Sequence, residues 1–159
     1  MRAGIGYDIH RFEKGRRLTL GGVEFEAEKG LAGHSDADVL VHAVIDAVLG
    51  AAGLGDIGAH FPADDAAYEG ADSIELLRNA AKLLSDKGFG VESVDSTVIA
   101  ERPRIGPHVA KMRERMAAAL GIEAGRLNVK ATTNEGLGAI GRGEGIAAMA
   151  VALVREAAD

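Results

Sequence analysis

The last long run of the chain, Ile146-Ala147-Ala148-Met149-Ala150-Val151-Ala152-Leu153-Val154, is apolar on both faces that a strand presents. A strand points successive side chains to opposite sides, and a sheet that meets water carries one polar face. This strand has none, so it must be covered twice. The preceding patterns say what covers one side. Arg2 to Ile9 reads as a strand, and Leu18 to Phe25 as a bent strand or hairpin around Gly21-Gly22. A helix capped by Ser35 or Asp36 runs to about Ala52, with Val39, Leu40, Val44, Ile45, Val48 and Leu49 making a broad buried face. Leu54 to Gly58 is a turn and Phe61 to Gly70 a polar loop. Asp72, with Glu75 three residues on, caps a helix to about Lys87 that Gly88 stops. Val94 to Ala100 is a strand, Pro103 to Gly106 a loop, and Pro107 starts a helix that ends before Gly121. Leu127 to Thr132 is a strand, and a Gly-rich loop, Thr133 to Gly145, leads into the final one. The fold class is α/β (α+β): a two-layer sandwich, with a mixed four-stranded-type sheet and helices on one face. The other face needs a cover, and the small residues of the last strand suit packing between subunits. An oligomer is expected.

At 159 residues the chain reads as one domain, residues 1–159. Aromatic residues make up 4% and tryptophan is absent, so the core must be aliphatic and Ala-rich. No segment approaches an uninterrupted membrane span, and the N-terminus lacks the apolar region of a signal peptide. A cytoplasmic protein with no membrane association is expected. There are no cysteines, which excludes disulfides, thiolate zinc sites and a Cys nucleophile. A net charge of -6 argues against non-specific nucleic-acid binding. It leaves room for an anionic small substrate, provided positive charge is gathered locally.

Asp8 and His10 stand two apart in the first strand, so their side chains project to one face. His42, on the first helix, can approach the same point. Two imidazoles and a carboxylate form the donor set of a catalytic zinc or related divalent metal with an open fourth position. The plain alternative is a chance Asp-x-His pair and a helical histidine that fills surface or core. The polar stretch His34-Ser35-Asp36-Ala37-Asp38 just before the helix favours the metal. Asp46 lies one turn after His42 and is placed to accept the second ring N–H; Asp38, one turn before, competes for that role.

With these segments placed, the chain closely resembles the 2-C-methyl-D-erythritol 2,4-cyclodiphosphate synthase family over nearly its whole length. The likeness rests on Gly6-Tyr7-Asp8-Ile9-His10, on Gly33-His34-Ser35-Asp36-Ala37-Asp38 followed by His42, and on Leu54-Gly55-Asp56-Ile57-Gly58 with Phe61-Pro62. It continues in Lys130-Ala131-Thr132-Thr133-Asn134-Glu135 and Gly141-Arg142-Gly143-Glu144-Gly145-Ile146. The resemblance implies a homotrimer with active sites at subunit interfaces. The implied reaction belongs to non-mevalonate isoprenoid biosynthesis. The 2-phosphate of 4-diphosphocytidyl-2-C-methyl-D-erythritol 2-phosphate attacks its own β-phosphorus and releases CMP.

The resemblance also assigns roles. Zinc would sit at Asp8, His10 and His42, and Mg²⁺ or Mn²⁺ on the substrate diphosphate with Glu135. His34 and Thr133 would stabilise the transition state. Ser35 would join His34 on the methylerythritol phosphate, with Phe61 and Asp65 alongside. Asp56, Ile57 and Gly58 would hold the ribose. Ala100, Pro103, Arg104, Ile105 and Gly106, with Ala131 and Thr132, would receive cytosine and the diphosphate. Tyr7, Ala139, Arg142 and Glu144 would surround a central cavity able to hold an isoprenoid diphosphate; the alternative for Arg142 and Glu144 is a structural ion pair. Three departures stand out: Ala63 where many members carry Asp, so that Asp64 or Asp65 would have to substitute; Ala139 in place of a common Phe; and Gly136 in place of a frequent Lys. Two rivals remain at this stage. One is a phosphohydrolase or non-haem iron oxygenase built on the same ligand set. The other is a non-catalytic trimeric binder of isoprenoid diphosphates or nucleotides.

Overall fold

The computed structural model describes residues 1–156. The last three residues of the expected 1–159 domain lie outside the described residues. The order is β1 (Arg2–Lys14), β2 (Leu18–Leu20), β3 (Val23–Phe25), β4 (Lys29–Leu31), α1 (Val39–Ala52), α2 (Ile57–His60), α3 (Ser73–Asp86), β5 (Phe89–Ile99), α4 (Val109–Leu120), β6 (Leu127–Thr132), α5 (Gly138–Gly141) and β7 (Gly145–Glu156). The main sheet runs β4-β1-β7-β5-β6, and only the β5–β6 pair is parallel. The four long strands are those expected. The short β4 adds an edge, and β2–β3 form a separate hairpin turned at Gly21-Gly22, both with positive φ. β1 runs five residues past its expected end because Phe12, Glu13 and Lys14 pair with β4.

The doubly apolar β7 sits in the middle of the sheet, as its composition requires. Ile146, Ala148, Ala150, Ala152 and Val154 are buried against the helices, whereas Met149 and Val151 emerge on the open face. There they join Ile5, Tyr7 and Ile9 of β1 in an apolar strip 41–66% exposed. The helix side of β1 is different. Gly4 and Gly6 carry no side chain, and a Cβ on either would come under 3.0 Å from backbone of α1. Helix α1 therefore rests directly on the strand. Gly4 meets Ala51 and Ala47, and Gly6 meets Ala47 and Ala43. Each step of two along β1 moves four residues back along α1, which brings Asp8 level with its first turn, where His42 stands.

The cap of α1 differs from expectation. Asp38, not Ser35 or Asp36, is the N-cap; its Oδ1 accepts the N–H of Val41 at 3.1 Å. The same carboxylate accepts the N–H groups of Gly21 at 2.9 Å and Gly22 at 2.6 Å. Asp38 is fully buried and clamps the β2–β3 turn to the start of α1. Ala37 before it takes a positive φ of 56°. The expected turn at Asp56 is a one-turn helix, α2, which Asp56 caps through Ala59 N–H at 2.9 Å. Helix α3 starts after Asp72 as expected, and α4 starts two residues after Pro107 because a 3₁₀ turn over Gly106–His108 intervenes.

Candidate metal centre

Asp8, His10 and His42 converge. His10 Nε2 lies 2.9 Å and His42 Nδ1 3.0 Å from Asp8 Oδ2, and the two ring nitrogens are 3.3 Å apart. Ligand bonds of about 2.0–2.1 Å in a tetrahedral site place donor atoms about 3.3 Å from one another, so this triangle fits a zinc-sized ion with little adjustment. The outward nitrogen of His10 supports the fit. Its Nδ1 is 2.5 Å from the Ala32 carbonyl, which only accepts. Nδ1 therefore carries the hydrogen, and Nε2 of the neutral ring turns a lone pair into the triangle. Residues of this type and spacing can hold a divalent cation.

The electrostatics are those of a half-buried acid among bases. Burial pushes the Asp8 carboxyl up, but the hydrogen bonds and charge of His10 and His42 prevail and hold it well below the usual range. Burial pulls His10 down, and the Asp8 carboxylate outweighs it, raising the imidazole above its ordinary value. Asp46 does not reach His42 as expected. It accepts the N–H of Ile57 at 2.7 Å and so anchors α2 to α1. Asp38 is taken up by its three backbone donors. The outer nitrogen of His42 instead faces Ser73 Oγ at 3.0 Å and Ser35 Oγ at 3.2 Å. Ser73 begins α3, 31 positions away in sequence, and no local spacing pointed to it.

The other expected residues fall into separate groups. His34 and Ser35 line a cavity of about 570 Å³ with Arg16, Arg17 and Asp36. His34 Nε2 donates to the Asp65 carbonyl at 3.2 Å. The Asp65 side chain caps the turn over residues 66–68 through Ala67 N–H at 2.9 Å. Phe61 packs edge-on to Tyr68, with centroids 5.5 Å apart. Asp56, Ile57 and Gly58 all belong to α2 or its cap.

Ala100, Pro103, Arg104, Ile105, Gly106, Ala131, Thr132 and Thr133 share one cavity of about 480 Å³ at the ends of β5 and β6. Glu135 follows on an exposed turn with a positive φ of 50°. Its Oε1 accepts from Thr133 Oγ1 at 3.2 Å. Glu101, a residue the sequence reading passed over as a site residue, supports that turn: its Oε1 accepts Asn134 N–H at 2.9 Å and Gly136 N–H at 3.3 Å. Arg142 Nε donates to Glu144 at 2.6 Å; both are exposed, as are Tyr7 and Ala139.

The chain does not bring the β5–β6 cavity to the metal corner. Asp8 pairs with Ala148, Ala148 with Val98, and Val98 with Ala131. Three strand spacings of about 4.8 Å put Asp8 and Ala131 about 14 Å apart along one row of the sheet.

Known proteins resemble this arrangement over its whole extent. The YgbB family matches residues 1–155. A 2-C-methyl-D-erythritol 2,4-cyclodiphosphate synthase of Desulfosudis oleivorans is 62% identical, over 98% of this chain and 93% of its own. One from Symbiobacterium thermophilum is 58% identical over 97% and 98%. Among solved structures, the bifunctional IspDF of Campylobacter jejuni superposes with a TM-score of 0.93 at 41% identity, covering 98% of this chain and 42% of that longer one. A Plasmodium falciparum IspF in complex with CDP gives 0.85 at 34% identity, over 99% and 97%.

Proposed function

The chain belongs to the YgbB family, whose curated relatives are 2-C-methyl-D-erythritol 2,4-cyclodiphosphate synthases, and from that premise we propose how its residues divide the work. It is an enzyme of isoprenoid biosynthesis, a lyase that forms the cyclic diphosphate.

Nucleophile and electrophile belong to one substrate, and a phosphate monoester is already anionic at neutral pH. The protein must fold the substrate for in-line attack and offset the repulsion between its phosphates. Positioning of this kind can account for roughly 7–11 kcal/mol of a barrier. Asp8, His10 and His42 would hold zinc, and Glu135 would hold Mg²⁺ or Mn²⁺ on the diphosphate. When bound, such ions supply Lewis acidity and a template for phosphoryl oxygens. His34 and Ser35 offer an imidazole and a hydroxyl to the methylerythritol phosphate, beside Phe61 and Asp65; the His34 Nε2–H would turn from the Asp65 carbonyl to the phosphate. Thr133 offers a hydroxyl to the transferring phosphoryl group, and with His34 it meets charge developing in the transition state. Asp56, Ile57 and Gly58 receive the ribose, and the β5–β6 cavity receives cytosine and the diphosphate. The CDP complex of the Plasmodium relative supports a cytidine diphosphate-type ligand.

We take residues 1–159 as one domain working in the cytoplasm; no helix among the described residues is long and apolar enough to cross a membrane. The active unit is a homotrimer. Its support is the exposed apolar strip of Ile5, Tyr7, Ile9, Met149 and Val151, together with the separation of the two half-sites within one chain. Packing the strips together buries the second face of β7 and lets the metal half of one copy meet the nucleotide half of the next. Tyr7, Ala139, Arg142 and Glu144 then ring the axis, where Arg142 can fork an isoprenoid diphosphate. Ala139 leaves that cavity wide and its grip weak.

The converged metal triangle carries this reading. It is tested by incubating 4-diphosphocytidyl-2-C-methyl-D-erythritol 2-phosphate with the enzyme and Mg²⁺. CMP with the cyclic diphosphate is expected; CMP with an open-chain bisphosphate would mean hydrolysis. Sedimentation at three chain masses checks the trimer.

A further inference from the structure

Ser73 is fully buried, and its hydroxyl has partners of opposite kinds. It donates to Asp36 Oδ1 and lies 3.0 Å from His42 Nε2. A hydroxyl has one hydrogen, and a carboxylate only accepts. With that hydrogen committed to Asp36, Ser73 presents a lone pair to His42. Nε2 must then be the ring nitrogen that donates. Nδ1 lies 3.0 Å from Asp8 Oδ2, which competes for the ring hydrogen; the Ser73 lone pair opposes that pull and frees the Nδ1 lone pair for a cation.

Asp36 is itself held from two sides. Its Oδ2 accepts Ser73 N–H at 3.1 Å, its Oδ1 accepts Asp38 N–H at 3.2 Å, and its own N–H donates to the Ala71 carbonyl at 3.0 Å. The carboxylate thus ties the loop before α1 to the start of α3. Ser35 is the other hydroxyl near Nε2, but its oxygen already accepts Ala37 N–H at 3.2 Å. With the ring hydrogen directed at Ser73, the Ser35 hydrogen stays free for a bound phosphate.

We propose that Asp36 and Ser73 are positioning residues for the metal centre: their hydrogen-bonded relay fixes His42 as the Nε2–H tautomer and so presents Nδ1 as a preformed ligand. This rests on the reading of Asp8, His10 and His42 as a divalent-cation site. The two histidines are then oriented by different devices. His10 leans on a backbone carbonyl, which no side-chain substitution removes. His42 leans on two side chains, which substitution does remove. Partners of this kind are typically worth 10–100-fold in metal affinity.

The test uses the purified full-length protein, stripped with a chelator and titrated with Co²⁺ against a chromophoric competitor. Ser73→Ala and Asp36→Asn are each expected to bind Co²⁺ about 10–100-fold more weakly than the parent. A second readout needs no metal. Two-bond ¹⁵N–¹H correlation on metal-free protein should show a larger Nε2–H share at His42 in the parent than in Ser73→Ala, where Asp8 Oδ2, 3.0 Å from Nδ1, draws the hydrogen unopposed. A purely structural serine would change thermal stability without moving that signature. Unchanged Co²⁺ affinity in Ser73→Ala, or the same Nε2–H share in parent and variant, overturns the relay. A parent that binds no Co²⁺ overturns the metal centre itself, while the tautomer measurement still decides the relay separately. Should Ser73→Ala fail to fold, the Co²⁺ titration and the Nε2–H share of Asp36→Asn, each against the parent, decide by the same criteria.

Discussion

The metal corner and the β5–β6 end are built on opposite plans. At the metal corner, two glycines let α1 sit on β1, every donor is buried or half-buried, and each outward ring nitrogen has a partner within one chain. At the β5–β6 end, Thr132, Thr133 and Glu135 are exposed, and the turn that carries Glu135 is tied to the rest of the loop region by the Glu101 carboxylate. The first region is complete before a second copy arrives. In the trimer proposed above, the second is half a site that a neighbour completes. Ion geometry tolerates little slack, so it is assigned to packed elements of one chain; a long flexible substrate can be received across a boundary.

The largest effect should come from adding a methyl group where the first plan has no room. Gly6→Ala would drive a Cβ into backbone of α1, so the helix must lift and His42 with it. Overpacking of this kind costs about 1–3 kcal/mol or more. We expect loss of bound metal together with a clear drop in denaturation midpoint. Gly106, in the other region, has nothing within 4 Å of its virtual Cβ. Gly106→Ala should leave stability within about 0.5 kcal/mol of the parent. Equal losses in the two variants would break the contrast.

Next in size, His42→Ala removes one of three ligands without touching the open sheet face. Turnover should fall by about 10³-fold or more, since ΔΔG‡ of about 4 kcal/mol corresponds to that factor. Metal content should fall with it, while sedimentation still reports the parent assembly. Full activity in a variant shown by elemental analysis to be metal-free would remove the metal from the chemistry.

The same contrast decides what was legible in the sequence. Period-two alternation in Gly4-x-Gly6-x-Asp8-x-His10 displays the glycines and the two candidate ligands as one line, so Asp8 and His10 could be paired from strand geometry. The four long strands and three long helices announce themselves by apolar periodicity. What stayed hidden depends on contacts between distant segments. Asp38 reads as a free helix carboxylate until the Gly21-Gly22 turn folds onto it. Asp46 sits one turn from His42, yet the chain returns at Ile57 and claims it. Ser73 comes from a different helix altogether. The roles of the β5–β6 residues came from family likeness, because exposed loop residues carry no periodicity to read.

Asp38 gives the metal corner a pH signature. Burial pushes its carboxyl up to about 6, against the pull of its three backbone N–H donors. A folded value above the unfolded one means the native state binds the proton more tightly, so this group's contribution is present at low pH and is lost as pH rises from about 4 to about 6. Asp8 runs the other way: its lowered value favours the native state above the unfolded carboxylate range and loses that contribution as pH falls through it. In metal-free protein, Asp38→Asn should cost about 1–3 kcal/mol through the bonds it disturbs. It should also flatten the stability profile between pH 4 and 6. A variant profile parallel to the parent's across that window would mean Asp38 does not titrate there.

The smallest expected effect lies at the second region and isolates one of its internal supports. Glu101 Oε1 accepts two backbone N–H groups of the turn that places Glu135 at positive φ. Glu101→Ala removes both bonds at an exposed site, where water replaces them at a net cost of about 1 kcal/mol. The turn should loosen without unfolding the chain, because its backbone bond from Leu137 N–H to the Asn134 carbonyl remains. If Glu135 holds the ion on the substrate diphosphate, the Mg²⁺ concentration for half-maximal turnover should rise about fivefold. Metal held at Asp8, His10 and His42 should stay at parental content, since that corner lies about 14 Å away across two intervening strands. Glu101→Gln keeps an acceptor oxygen in place and should fall between the two. A Glu101→Ala enzyme that lost the buried metal while its Mg²⁺ requirement stayed fixed would show that the two regions are not independent, and the contrast between them would fail at its weakest point.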